Sequence, residues 1–317
     1  IHMKDYTAGK LRNVCLMSHG GAGKTTLAEA MLFNTGVLDR FGKVNDGNTT
    51  MDYDPEEVKR KISISTSIAP CEWRDHKINI IDTPGYFDFV GEVKSGIRVA
   101  EGAVILVPAK GGVAVGTEKS WAYAKEQGIP RIFFVSKMDE EHANFFEVLD
   151  QLKDTFGKSV IAFQLPILEG EKFIGYVDIV NMKAKKFDKD KLVDTDIPAA
   201  LNDKIAEIRE ALNEAVAETS EELMEKYFGG EEFTSEEMIN GIRAGIADCS
   251  IVPVLCGAAL LNQGITALMD VIVDFMPSPE CKPVIKGVKP GTDTVVELKN
   301  SADEKLSALV FKTIADP

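Results

Sequence analysis

The stretch SHGGAGKTTL, residues 18–27, constrains the fold more than any other part of the chain. It follows a short apolar run, residues 13–18, and opens a segment with helical spacing and a terminal glycine, residues 25–36. A strand that turns through glycines into a helix is the setting in which backbone N–H groups converge on a phosphate. Gly20, Gly21 and Gly23 supply the flexibility, Lys24 the charge for the β and γ groups, and Thr25 a hydroxyl for Mg²⁺. Ser18, His19, Ala22 and Thr26 complete the loop. Ser18 stands where the pattern has glycine, which costs some freedom in the turn and removes no donor.

The rest of the chain supports that setting. Apolar runs at 77–82, 102–109, 131–137 and 250–257 alternate with helical stretches such as EVKSGIRVAEG, EKSWAYAKEQG and ITALMDVIVDFMP. This rhythm predicts an α/β fold, a mostly parallel sheet with helices on both faces. Ligands of such sheets bind at the carboxyl ends of the strands. One run there ends in DTPG, with Asp82 placed to hold Mg²⁺ through water, then Thr83, Pro84 and Gly85, whose N–H can meet a γ-phosphate. Another ends in SKMD, Ser136, Lys137, Met138 and Asp139. A carboxylate at Asp139 accepts two hydrogen bonds from guanine and finds no such donor pair on adenine. The competing reading of Asp139 is a helix N-cap. A third run leads into Gly257, Ala258 and Ala259, where a backbone N–H can face the guanine oxygen.

Bulk properties narrow the class. The 317 residues carry a formal charge of −14. That argues against DNA, or any nucleic acid bound through a broad positive face. Five cysteines, with no C-x-x-C pair, read as buried thiols in a reducing compartment, hence a cytoplasmic protein. No apolar run spans a bilayer. The opening IHM reads as a cloning remnant.

Two regions break the rhythm. Residues 39–67 are polar, then charged, and a connection of that length is expected to be functional or disordered. Residues 158–248 read as an α+β insert. FIGYVDIV suggests a small antiparallel sheet, and PAALNDKIAEIREALNEAVAE an amphipathic helix. Two further helices are predicted to start at capping boxes, Thr219 with Glu222 and Thr234 with Glu237. Their acidic faces read either as solvated surface or as a docking face for a basic partner. Residues 281–317 read as a linker followed by a lone strand, EKLSALVFKTI, the start of a truncated β domain. The expected division is therefore 8–157 and 249–280 for the nucleotide domain, 158–248 for the insert, and 281–317 for the linker and β domain.

DTPGYFDFVGEV, PRIFFVSKMDEEHANFFEVLDQLKDTFG, SEELMEKYFGGEEFTSEE, PVLCGAALLNQGITALMDVIVDFMPSP and SALVFKTIADP together resemble the first domain of the elongation factor G family, a P-loop GTPase fold with its insert, followed by the start of a β-barrel. The similarity runs from Leu11 to Pro317. It implies a translation factor that binds GTP or GDP with Mg²⁺. On the ribosome, which it meets through ribosomal RNA and stalk proteins, such a factor hydrolyses GTP to drive translocation or disassembly. It also implies a monomer, with 39–67 as switch I and the stretch from Asp82 as switch II.

The chain departs from that family at chemically important positions. Gly21 replaces an aspartate, Lys61 a glycine, and Ser63 the Mg²⁺-binding threonine, keeping the hydroxyl without its β-methyl. Ser136 replaces the asparagine of the base motif, which predicts weaker nucleotide binding. After Gly85 the family's water-orienting histidine is replaced by Tyr86, a phenol in place of an imidazole. Tyr86, with Lys24 and Gly85, forms the expected catalytic set; the competing reading is that Tyr86 only fills space. The alternative function is a GTP-gated ribosome-binding protein that does not hydrolyse.

Overall fold

A computed structural model describes residues 3–189, 191–282, 284–301 and 303–314; residues 1–2 of the expected cloning remnant lie outside them. The chain runs β1 (Leu11–Met17), α1 (Lys24–Asn34), α2 (Pro55–Arg60), β2 (Ser67–Trp73), β3 (His76–Asp82), α3 (Val90–Ile97), β4 (Gly102–Pro108), α4 (Val115–Gln127), β5 (Arg131–Ser136), α5 (Phe145–Phe156) and β6 (Val160–Ala162). It continues through β7 (Gln164–Glu169), β8 (Lys172–Asp178), β9 (Lys183–Asp188), β10 (Lys191–Thr195), α6 (Asn202–Ala217), α7 (Glu221–Phe228) and α8 (Ser235–Ala247). It ends with β11 (Val252–Cys256), α9 (Ile265–Phe275), β12 (Val284–Val288) and β13 (Val295–Lys299).

Seven strands form the main sheet in the order β2-β3-β1-β4-β5-β11-β6. Only β2 runs antiparallel, against β3; the other pairs are parallel. Every residue of β5 and β11 is buried, as a central strand covered on both faces requires. The strand order places the ends of β1, β3, β5 and β11 along one edge. Glycine is needed where β1 passes into α1, because Gly23, the residue capping the helix, has φ 98°.

β7 to β10 form a separate antiparallel sheet, and α6 packs on α7 and α8. The Thr234–Glu237 capping box is present: Glu237 N donates to Thr234 Oγ1 at 3.2 Å and Thr234 N to Glu237 Oε2 at 2.8 Å. The expected box at Thr219 is not. Thr219 Oγ1 donates to Val216 O at 2.6 Å, satisfying a carbonyl at the end of α6, and Ser220 caps α7 by accepting from Leu223 N at 3.2 Å.

Other expectations are corrected. β6 lies inside the region read as the insert, yet it pairs with β11 and adds an edge to the main sheet. Residues 39–67 are not a bare loop, since α2 forms there behind a complete capping box, Asp54 with Glu57, and Pro55 at the first helical turn. The stretch read as a linker forms the β12–β13 hairpin. The lone strand expected at 304–314 is absent: its described residues join no sheet, and an apolar run without a partner strand makes no ladder. Of the cysteines, Cys15, Cys71 and Cys256 are buried as expected, but Cys249 is half-buried and Cys281 exposed. No helix among the described residues is long and apolar enough to cross a membrane.

Candidate nucleotide site

The sheet edge gathers the predicted segments. Ser18 to Gly23 form the turn after β1, and Lys24, Thr25 and Thr26 begin α1. Asp82 ends β3, with Thr83 to Tyr86 beyond it; Ser136 ends β5, with Lys137 to Asp139 beyond it. Gly257, Ala258 and Ala259 follow β11.

Side chains tie these turns together. Thr83 Oγ1 donates to Leu16 O at 2.7 Å, fixing the turn after β3 to β1. Ser136 Oγ donates to Ala22 O at 2.8 Å, joining the base-motif turn to the phosphate loop. Met138 N donates to Gly257 O at 3.2 Å, joining it to the third turn. Lys137 leans away to Glu140 at 2.9 Å, and Asp139 is exposed. Asp139 is not the N-cap of the following helix; Asn144 takes that role by accepting from Glu147 N.

At the loop itself, Lys24 is buried and donates to Ser18 Oγ at 2.9 Å. Burial pulls its ammonium below the ordinary value, with the nearby Asp82 and Asp52 carboxyls opposing. Thr25 Oγ1 donates to Asp82 Oδ2 at 2.8 Å and lies 3.0 Å from Ser63 Oγ. Ser63 Oγ donates to Asp52 Oδ1 at 2.7 Å. The three residues expected to serve Mg²⁺, Thr25, Ser63 and Asp82, are therefore in one hydrogen-bonded cluster. Asp82 Oδ1 is buried and has no partner among the described residues, and burial raises the carboxyl to about 7. An orphaned carboxylate oxygen beside two hydroxyls is a donor set of oxygens that suits Mg²⁺.

Gly85 and Tyr86 close over the loop. A Cβ at Gly85 would fall 2.6 Å from Lys24 Nζ and 2.7 Å from Gly20 Cα, so no side chain fits there. The Tyr86 ring lies over Gly20, at 3.0 Å from where a Cβ would be, and is 44 % exposed. Phe87 beside it packs edge-on against His19, with Lys119 Nζ 3.9 Å above its ring. A pocket of about 20 Å³, room for one water, lies among Ser18, Gly85, Tyr86, Phe87 and Ser120.

Sequence reasoning missed three buried carboxylates. Glu29 of α1 accepts from Thr50 N and from Met51 N at 3.2 Å. Asp52 holds Ser63, and burial raises its carboxyl. Glu57 Oε1 accepts from Ile64 N at 2.8 Å and Ser65 N at 2.9 Å. The sequence DPEE, Asp54 to Glu57, is a capping-box signature and is the signal that points to Glu57. Glu29 and Asp52 give no comparable signal. Ser63 is thus tethered by Asp52 as well as placed beside Thr25.

Comparison with known proteins agrees with this geometry. The sequence model of the elongation factor Tu GTP binding domain matches residues 9–278. A solved structure, the crystal structure of ttk003000868 from Thermus thermophilus, superposes with a TM-score of 0.83 at 34% identity over 87% of this chain. The match covers 41% of that protein, so the chain corresponds to less than half its length. A family match over most of the chain, together with the P-loop architecture, identifies it: the chain belongs to the elongation factor Tu GTP-binding domain family.

Proposed function

We propose that the chain binds GTP and hydrolyses it to GDP and phosphate when it engages the ribosome, as part of a translation factor. The observation that carries this reading is the cluster of Thr25, Ser63 and Asp82 beside Lys24, with Gly85 and Tyr86 closing over the loop. Backbone N–H groups of residues 18–26 and the Lys24 ammonium hold the phosphates. Thr25 and Ser63 would hold Mg²⁺ directly and Asp82 through water; the ion neutralises charge on the phosphate oxygens when bound. Asp139 selects guanine, with Ser136 to Met138 and Gly257 to Ala259 framing the base. Water attacks the γ-phosphorus, the bond to the β-bridging oxygen breaks, and GDP leaves with its electron pair. The Tyr86 phenol donates one hydrogen bond and accepts another, which suffices to orient that water. It brings no positive charge to the transition state, and this favours slow hydrolysis as the variation on the family theme.

Equilibrium titration with GDP, GTP, ADP and ATP tests the first half. The expected order has both guanine nucleotides well ahead of both adenine nucleotides, with Asp139→Ala erasing the difference. Equal or tighter binding of ADP overturns the guanine assignment.

A further inference from the structure

The helix that opens the nucleotide site carries a buried acid that the chemistry above does not use. Glu29 is fully buried on α1, four residues after Thr25 and hence on the same face of the helix. Thr25 points to Asp82 and Ser63. Glu29 Oε1 takes the backbone N–H groups of Thr50 and Met51. The loop wraps its other oxygen closely, since a Cβ at Gly42 would fall 2.5 Å from Glu29 Oε2. Met51 is pinned on its carbonyl side as well, because Ser67 Oγ donates to Met51 O at 2.6 Å. The next residue, Asp52, holds Ser63 against Thr25.

A carboxylate buried this deeply is costly, and here only Oε1 is hydrogen-bonded, Oε2 having no partner among the described residues; a residue that merely filled the space would be apolar. We propose that Glu29 is a positioning residue for the metal and γ-phosphate side of the site. It is the post that fixes residues 42–51 to the phosphate-loop helix and so delivers Asp52 and Ser63 to Thr25. One helix face thereby sets both halves of the cluster, with Thr25 from within and Ser63 through the chain Glu29, Met51, Asp52. This inference rests on the nucleotide reading for its catalytic consequence, but its structural part stands without a nucleotide.

The test compares Glu29→Leu, Glu29→Gln and Gly42→Ala in the whole chain. Glu29→Leu removes the acceptor; Glu29→Gln keeps an oxygen for both N–H groups; Gly42→Ala presses on the post, and also on the loop backbone at Asn48 and Thr49, without altering α1. Trypsin cleavage at Arg40, Lys43, Lys59, Arg60 and Lys61 is followed without nucleotide, and affinities for GDP and a non-hydrolysable GTP analogue with Mg²⁺ are measured alongside. Loss of two hydrogen bonds in Glu29→Leu is expected to speed cleavage on the order of tenfold, with Gly42→Ala in the same direction and Glu29→Gln close to native. Affinity for the GTP analogue is expected to fall by a similar factor in Glu29→Leu, while GDP affinity stays within about twofold. Native cleavage rates in Glu29→Leu and Gly42→Ala overturn the proposal, as does an equal loss of GDP and GTP-analogue binding. If the native chain binds no guanine nucleotide, the functional reading fails, and the cleavage rates still decide whether Glu29 holds the loop.

Discussion

The Lys24 ammonium donates to the Ser18 hydroxyl across 2.9 Å, so the residue that departs from the loop's glycine holds the loop's lysine. Ser18 in turn donates to His19 O at 2.7 Å. Ser18 is absent from the positive-φ residues, so its position does not demand glycine. The hydroxyl satisfies a buried charge that otherwise has few acceptors, and phosphate oxygens compete for the same ammonium. Ser18→Ala is expected to destabilise the nucleotide-free protein by about 1–3 kcal/mol in chemical denaturation. The same loss reappears as tighter GDP binding, roughly tenfold for each 1.4 kcal/mol. Unchanged stability together with weaker GDP binding contradicts this.

Ser136→Ala removes the bond to Ala22 O and leaves that carbonyl buried without it. The base turn then loosens from the phosphate loop. The expected cost is about 1 kcal/mol, read as faster GDP release by a factor of several in stopped-flow displacement. A release rate equal to native shows that the two turns are held together by other contacts.

Lys61 ends α2 with φ 57°, a left-handed conformation that disfavours side chains. Lys61→Gly is expected to stabilise the protein by about 1 kcal/mol, visible as a higher thermal midpoint. A lower midpoint refutes backbone strain at this position.

Lys312 reaches back from the C-terminal segment to Thr66 O at 2.7 Å and Glu92 Oε2 at 2.9 Å, joining that segment to the end of the 39–67 stretch and to α3. Glu92 also accepts from Thr66 N at 2.7 Å. Lys312→Met is expected to raise amide hydrogen exchange across residues 306–314 while leaving the Thr66 amide protected. Equal exchange in both proteins shows that Lys312 does not anchor the segment.

Glu237 carries the clearest pH dependence. Its carboxylate accepts from Lys226 and from Thr234 N, which lowers it from 4.5 to about 2. Because the folded value lies below the unfolded one, this contribution is full above about pH 4.5 and fades as pH falls toward 2. Exchange at the start of α8 is expected to accelerate over that window, and Glu237→Gln to remove the dependence. A flat profile in the native protein rules the contact out as a stabiliser of α8.

The sheet and the placing of the turns after β1, β3, β5 and β11 along one edge were legible because each follows from local pattern. Buried strands read as apolar runs, and a glycine-rich turn with Lys24 and Thr25 has one common use. Long-range partners were not legible. Nothing near Glu29 in sequence indicates that its oxygen serves backbone more than twenty residues away, and Asp52 gains its role only once Ser63 folds back over it. β6 is three residues long and is a strand only because β11 lies beside it. The Thr219 hydroxyl expected to cap α7 was claimed by the end of α6, and the adjacent Ser220 caps α7 instead. The 304–314 run has strand composition without a neighbour to pair with, and propensity alone does not make a ladder.

GTP turnover by the native protein and its Tyr86→His variant, each with and without ribosomes, decides whether this site hydrolyses. Slow turnover in the native protein, accelerated by ribosomes and faster still in the histidine variant, is the expected result. No turnover under any condition in the native protein, recovered only by Tyr86→His, would contradict it and mark a GTP-gated binder in which Tyr86 stops the hydrolytic step.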